Sequence, residues 1–227
     1  ESDGRPNPVG TRGEQDFRLV QCTCACAMVL STDRLCLPEA SGALLIDAEH
    51  LTCWRDRIAH KGANPFAKLF GAFDRAEVIV GFNALEFDFP LLYKYYGAND
   101  HERYVRHRLK CLDIFSRIRA ATGRWPSLGG LLSANGLASK TGDGAEAIRL
   151  WNEQRRDDLE AYCVADVRLT AELALLPRMR MGDVWIPGHV YGVGPAVQAS
   201  FVAKAMEATA STTVPPTPPA PDEADEA

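Results

Sequence analysis

Two residues one helical turn apart are the first that could do chemistry in this sequence. Residues 153–176 carry apolar side chains at helical spacing and end before Pro177, which predicts a long amphipathic helix. Asp166 falls inside the apolar stripe, and Tyr162 lies four residues earlier on the same face. A carboxylate there needs a base, a hydrogen-bond network or a metal ion, because an unpaired buried charge is costly. The pair is therefore either part of a functional site or a polar element of the core.

A second group of polar residues follows a short apolar segment. Residues 77–82 (EVIVGF) are typical of a buried strand, Asn83 ends that strand, and Phe87 and Asp88 open the next predicted helix. Side chains that leave the end of a strand can reach the crevice in which α/β proteins bind ligands. The simpler interpretation is that Asn83 turns the chain and Asp88 caps a helix.

Taken together, the two segments resemble the DEDD exonucleases of the tyrosine subclass. The second motif of that family reads N-x-x-x-F-D, as at Asn83, Phe87 and Asp88, and the third reads Y-x-x-x-D, as at Tyr162 and Asp166. The histidine subclass needs a histidine just before the position of Tyr162, and this sequence has alanine there. The stretches CLDIF, SLGGLL and ASKTGDGAEAIRLW add to the resemblance, especially to the proofreading domains of family B DNA polymerases. The resemblance covers residues 17–176 and implies an α/β fold of the ribonuclease-H-like type, a mixed sheet flanked by helices.

The first motif of the family, D-x-E on an opening strand, is where the sequence departs from the pattern. Residues 1–16 contain no apolar strand. We expect Glu1 to be the glutamate of that motif, with its aspartate two residues upstream. Glu14 and Asp16 are the rival candidates, but they occur in reversed order and in a polar segment. On this interpretation the chain lacks most of its first strand and would itself have little activity.

The resemblance also implies a mechanism. Such enzymes hydrolyse phosphodiester bonds at the 3′ ends of single-stranded DNA or RNA with two divalent cations, Mg²⁺ or Mn²⁺, which prefer carboxylate oxygens. Glu1, Asp88 and Asp166 would be the metal ligands, and Tyr162 would orient the attacking water. Asn83 and Phe87 would contact the nucleic acid. A larger polymerase or helicase polypeptide is a possible partner.

A basic segment could guide the phosphates of a nucleic acid. Seven arginines and lysines but one acid, Asp113, occur between positions 103 and 124. The more common interpretation of such a run is a solvated face.

The cysteines bear on the cellular compartment. Seven scattered cysteines predict free thiols in a reducing, intracellular compartment rather than a disulfide framework. Cys22, Cys24 and Cys26 alternate along one predicted strand, where core packing is the more common role. Their spacing differs from that of most zinc-binding pairs, which have two to four intervening residues.

The remaining pattern predicts the elements that must position these residues. Residues 17–30 predict a long strand, a stretch including Ala43 and Ile46 a neighbouring strand, and residues 65–73 a helix. Pro90 and Gly97 mark the first turn and the end of the helix that carries Asp88. A meander followed by strand and helix units is an α/β design.

Composition separates a folded part from a tail. With 46% hydrophobic and 24% charged residues the chain is typical of one globular domain, and it contains no apolar run long enough to span a membrane. The proline-rich, acidic residues 208–227 are expected to be disordered, which leaves residues 1–207 as the exonuclease domain. Of the 30 acidic residues, four lie in that tail, so the net charge of −5 overstates the charge of the folded part.

Two rival interpretations stay open. The chain could be a catalytically inactive, ribonuclease-H-like module that binds nucleic acid, in which case the missing D-x-E motif would reflect decay. It could also be an unrelated α/β enzyme in which the carboxylates of Asp88 and Asp166 match the motifs by chance and lie far apart.

Overall fold

An antiparallel strand pair carries the cysteine-rich part of the chain. The computed structural model describes residues 22–30, 49–56, 62–138, 142 and 144–192. Strand β1 (Cys24–Val29) pairs with β2 (Glu49–Trp54), with Cys24 opposite Trp54 and Val29 opposite Glu49. The predicted strand is confirmed over the range of β1. The expected partner around Ala43 and Ile46 lies outside the described residues, whereas the partner that the structure shows begins at Glu49.

Strand and helix then alternate. Helix α1 (Ala67–Arg75) is followed by β3 (Ile79–Gly81) and α2 (Asp88–Tyr93), and α1 buries Leu69, Phe70 and Ala72. Helix α2 begins at Asp88, as the sequence predicts for the junction of strand and helix. Strand β3 is shorter than the apolar run that predicts it.

The parallel partner of β3 comes after one more helix. Helix α3 (His101–Leu109) leads into β4 (Cys111–Asp113), which pairs in parallel with β3. Helices α4 (Ile114–Thr122) and α5 (Leu128–Ala134) follow, and each has a side-chain cap at its N-terminus. Asp113 accepts a hydrogen bond from the backbone N–H of Ser116, and Ser127 accepts one from Gly130.

The long predicted helix is present near the end of the described chain. Helices α6 (Gly144–Asn152) and α7 (Arg156–Ala174) precede a hairpin of β5 (Arg178–Met181) and β6 (Val184–Pro187), and α8 (Gly188–Tyr191) follows. The hairpin is not among the elements predicted above. Its turn is Gly182–Asp183, and Gly182 has a φ of 61°, a left-handed conformation that glycine adopts without strain.

The start of α7 is anchored to the neighbouring elements by aromatic and charged groups. The Arg156 guanidinium lies over the rings of Trp151 (4.6 Å) and Trp54 (5.6 Å) and forms an ion pair with Asp56. The indole N–H of Trp54 also donates to Glu160 at 3.0 Å. These contacts fix α7 against β2 and α6.

Three apolar clusters form the core of the described residues, and α7 contributes to two of them. Leu159 and Tyr162 pack with Trp54, whereas Leu169 and Leu173 pack with residues of β4, α4, α5 and the hairpin. Leu173 is completely buried. The third cluster joins α1, α2 and the start of the β1 region. The amphipathic character predicted for this helix is therefore confirmed.

The architecture is mixed α/β, with eight helices and three strand pairs within the described ranges. Among these residues β1–β2, β3–β4 and β5–β6 form separate two-stranded sheets rather than the single mixed sheet that the resemblance implies. The ribonuclease-H-like arrangement therefore stays a prediction. No helix in the described part of the chain is both long and apolar enough to cross a membrane.

Candidate functional site

The loop between β3 and α2 carries the first group of candidate residues in a tightly determined conformation. Asn83 has a φ of 62°, and its backbone carbonyl accepts a hydrogen bond from the N–H of Phe87 at 3.0 Å. A Cβ on Gly81 would lie 2.5 Å from the Cβ of Ala84, so only glycine fits where the chain folds back on itself. This turn holds Asn83, Phe87 and Asp88 at the end of β3.

A buried carboxylate from the next strand holds that loop. Asp113, which is 2% exposed, accepts backbone hydrogen bonds from Asn83 at its Oδ1 and from Leu85 at its Oδ2, both of 2.9 Å. With the bond from Ser116, three N–H groups surround one carboxylate, which compensates its burial. In the sequence, Asp113 stands out as the lone acid of a basic stretch. Its position between a short apolar strand and a helix is a sequence signal for an N-terminal helix cap. No pattern in the sequence indicates its hydrogen bonds to the distant loop.

Asp88 lies at the N-terminus of α2, in an environment that disfavours its charge. The residue as a whole is exposed, although its carboxyl group has lost much of its hydration. This loss of hydration raises the pKa of Asp88 to about 7, and the negative charge of Asp113 adds to the effect. A nearby positive charge would stabilise the ionised carboxylate of Asp88, so this position is suited to a cation site.

The second pair of candidate residues lies along α7. Tyr162 is buried among Trp54, Leu150 and Leu159, so its ring is part of the core. Asp166 is half-buried, one turn further along the same helix. It falls between the two apolar clusters to which α7 contributes, where a polar group can reach solvent.

Two cysteines connect the surroundings of Asp88 and Asp166. Burial raises the pKa of Cys22 to about 12, and the nearby acidic groups of Asp88 and Cys163 contribute in the same direction. The pKa of Cys163, in turn, is raised. A hydrogen bond with Cys24 acts against the rise, whereas a hydrogen bond with Cys26, burial and, to a smaller extent, the charge of Asp166 contribute to it. Asp88 thus acts on Cys22 and Asp166 on Cys163, and α7 packs against β3, whose end leads into the loop before Asp88.

The donor atoms of this region match the preference of hard cations in part. The carboxylates of Asp88 and Asp166 are ligands that Mg²⁺ and Mn²⁺ favour. The side-chain oxygen of Asn83 is buried without a hydrogen-bond partner in the described structure, so it is available to a bound ligand. Glu1, the third carboxylate that the resemblance implies, lies outside the described residues, as do Glu14 and Asp16. Within the described ranges, the one group of three potential ligands packed together consists of thiols.

Most of the basic residues after position 103 have structural partners. Arg103 forms an ion pair with Asp74 at 2.6 Å, and Arg124 forms one with Asp183 at 2.9 Å. Lys110 donates to three carbonyl oxygens at the C-terminus of α1, those of Phe73, Asp74 and Ala76, at 2.9–3.3 Å. These contacts favour a structural role for the basic segment over a continuous path for phosphates.

Two arginines of that segment nevertheless adjoin the loop of Asn83 and Asp88. Arg108 donates to the carbonyl oxygen of Leu85 at 3.4 Å, and Arg119 lies 3.5 Å from the carboxylate of Glu86. The Arg119 guanidinium also stacks 3.8 Å from the ring centre of Trp125, which is 67% exposed. An exposed indole beside a cation is a suitable surface for a nucleobase and its phosphate.

Comparison of the chain with models of known protein families, with curated proteins and with solved structures finds no match.

Proposed function

We propose that this chain is a metal-dependent 3′-5′ exonuclease that acts on the ends of single-stranded nucleic acid, with DNA the favoured substrate. The observation that carries the proposal is that α7, which carries Tyr162 and Asp166, packs against β3, at whose end Asn83 and Asp88 lie. The charge of Asp88, at the start of α2, acts on Cys22, and the charge of Asp166 acts on Cys163 of the same helix.

The residues of this region have distinct proposed roles. Asp88 and Asp166 hold divalent cations, with Glu1 as the third carboxylate that the family resemblance implies. The cations, when bound, supply an activated water and stabilise the leaving 3′ oxygen. The Tyr162 hydroxyl, held by a ring that packs in the core, positions the attacking water.

Binding of the nucleic acid end is assigned to the loop and the arginines next to it. The unpaired side-chain oxygen of Asn83 can accept a hydrogen bond from the terminal nucleotide, and Phe87 offers an aromatic surface in the same turn. Arg108 and Arg119 flank this turn and can neutralise the adjoining phosphates. This arrangement orients a 3′ end toward Asp88.

Cleavage of a labelled single strand tests the proposal. The chain is incubated with a 5′-labelled oligonucleotide in Mg²⁺, Mn²⁺ or a chelator. In keeping with the little activity expected above for this chain, a slowly formed ladder of shortening products is expected with either cation and none in the chelator. Asp88→Asn and Asp166→Asn should each lower the cleavage rate by at least ~10–100-fold, because loss of even an outer-shell partner of a metal has an effect of that size. Asp183→Asn, at an exposed ion pair of the hairpin turn, is the matched control. Cleavage that persists in Asp166→Asn, or in the chelator, would show that the metal assignment is wrong.

A second candidate function is binding of single strands without cleavage. The exposed pair of Trp125 and Arg119 favours it, because stacking and phosphate contact need no catalytic group. Fluorescence anisotropy with the same oligonucleotide separates the two functions. Binding in the chelator together with no product in Mn²⁺ would support a binding module and refute the exonuclease proposal.

A further inference from the structure

Three cysteine side chains from two elements meet on one face of β1. Cys24 and Cys26 alternate along the strand and so point to the same side, where α7 brings in Cys163. The three sulfur atoms all lie within 4.8 Å of one another, and the Sγ atoms of Cys24 and Cys26 are 3.9 Å apart. The thiol cluster, defined as these three residues, has no counterpart in the motifs discussed above.

The spacing of the sulfur atoms matches a metal site better than a disulfide. A zinc ion with Zn–S bonds of about 2.3 Å and tetrahedral angles holds neighbouring sulfurs about 3.8 Å apart. A disulfide requires about 2.05 Å. Residues two apart on a strand also have Cα atoms ~6.7 Å apart, near the upper limit for a disulfide. Cys24 and Cys26 are therefore placed to share an ion rather than to form a bond with each other.

We propose that Cys24, Cys26 and Cys163 form a site for a thiophilic divalent cation, zinc, with three sulfur ligands and a fourth position open to another donor. Zinc prefers thiolate ligands, and three of them with one further group complete its usual tetrahedral geometry. All three cysteines are half-buried, so the ion can enter while most of its surroundings stay dry. The spacing of Cys24 and Cys26 within the strand does not count against the site, because the third ligand comes from α7.

The sulfur of Cys26 has several hydrogen-bonding neighbours. Hydrogen bonds from Cys163 and Cys24 to the sulfur of Cys26 lower the pKa of Cys26 well below the usual range for a thiol, and Thr52 adds a contact of 3.7 Å. Zinc binding would displace the thiol protons of the cluster.

A histidine on the neighbouring strand is a candidate for the fourth ligand. In the β1–β2 register Cys26 faces Thr52 and Met28 faces His50, so His50 lies on the same face one step along from the cluster. The side chain of His50 is exposed and can turn toward the cluster. A Cys₃His set is a common composition for a structural zinc site.

A bound zinc ion would link α7 to β1. Cys163 lies directly after Tyr162 and one turn before Asp166, so the ion would fix the helix that carries both residues. The site does not depend on the proposed nuclease activity, and it can be tested without a nucleic acid.

Cobalt substitution tests the site in the intact chain under reducing conditions. Titration with Co²⁺ should produce thiolate charge-transfer bands and the intense visible bands of tetrahedral cobalt, with saturation at one ion per chain. Zinc should abolish these bands by competition. X-ray absorption of the zinc form should show three sulfur neighbours at about 2.3 Å. Absence of the charge-transfer bands in the intact, reduced chain would overturn the proposal.

Matched cysteine variants locate the site. Cys26→Ser and Cys163→Ser should weaken zinc affinity by more than the ~10–100-fold expected for an outer-shell change, whereas Cys111→Ser, at a half-buried cysteine of β4 outside the cluster, should bind like the parent. Circular dichroism checks that each variant folds, and zinc should raise the melting temperature of the parent and of Cys111→Ser only. Unchanged cobalt bands in folded Cys163→Ser would place the metal elsewhere and refute the assignment.

Discussion

The Oδ1 atom of Asp113 accepts a hydrogen bond of 2.9 Å from the backbone N–H of Asn83, which lies 30 residues earlier. This bond crosses from the end of β4 to the end of β3, the two strands that pair in parallel. It fixes Asn83 in a left-handed conformation that a non-glycine residue rarely adopts without support. The position of the proposed substrate-binding loop therefore depends on a buried carboxylate of the neighbouring strand.

Replacement of Asp113 should affect both stability and the loop. In Asp113→Asn one acceptor oxygen becomes an N–H₂ group that faces a backbone N–H, so at least one buried donor is left unpaired. We expect the free energy of unfolding to fall by about 2–3 kcal/mol. Urea denaturation measures the loss, and Asp158→Asn, at an exposed ion pair with Arg155, is the control. A change of under ~0.5 kcal/mol would show that Asp113 does not hold the loop.

The hydroxyl of Tyr162 should matter less than the carboxylate of Asp166. Tyr162→Phe retains the ring that packs against Trp54 and Leu159, so we expect a melting temperature close to that of the parent. The cleavage rate of Tyr162→Phe should fall by ~10–100-fold, which is at most the lower end of the effect of a group that transfers a proton. Asp166→Ala should abolish cleavage. Rates with the same labelled strand in Mn²⁺ check this order. Full activity in Tyr162→Phe would remove the hydroxyl from the mechanism.

Loss of the exposed indole should weaken binding of single strands. Stacking of one base on an aromatic ring contributes about 1–3 kcal/mol, so Trp125→Ala should raise the Kd for an oligonucleotide by about 5–150-fold. Trp185→Ala is a matched control, because Trp185 is 53% exposed and the Arg178 guanidinium lies 4.6 Å from its ring centre. The arginine beside Trp125, Arg119, instead pairs with Glu86 of the loop before Asp88. Anisotropy in a chelator measures both. Equal losses in the two variants would contradict a specific role for Trp125.

His107 should make stability depend on pH near neutrality. Its ring is 1% exposed, and the neutral form satisfies both contacts, with Nε2–H donating to Asp74 at 2.8 Å and Nδ1 accepting from Tyr96 at 2.7 Å. Burial lowers the pKa of His107 even though Asp74 acts in the opposite direction, and the charges of Arg103 and Lys110 assist the lowering.

The sign of that dependence follows from the lowered pKa. The unfolded chain binds a proton at His107 near pH 6.5, before the folded chain does, so stability is lost as the pH falls below that value. We expect the urea midpoint to drop between about pH 7.5 and about pH 5.5, and to drop less in His107→Gln. His189→Gln, at an exposed histidine of α8, should behave like the parent. Asp74, whose pKa is lowered to about 2 first by its hydrogen bond with Arg103, loses its contribution only in much stronger acid. An identical pH profile in His107→Gln and the parent would contradict this assignment.

The sequence by itself determined the elements whose patterns are local. The spacing of Leu159, Leu169 and Leu173 and the stop at Pro177 predicted α7, because a helix repeats its buried face within a few residues. The strand before Asn83 and the helix that begins at Asp88 were predicted in the same way, from a short apolar run and from Pro90. Tyr162 and Asp166 could be assigned to one face of one helix for the same reason.

Only the tertiary structure decided which of these groups meet. No local pattern shows that Asp113 reaches the loop of Asn83, that Lys110 caps α1, or that Cys163 joins Cys24 and Cys26, since each contact joins elements far apart in the chain. Such contacts depend on how elements pack, and many packings share the same local propensities. The sequence therefore determined the helix face that holds Tyr162 and Asp166, whereas packing of α7 on β1 created the thiol cluster beside them.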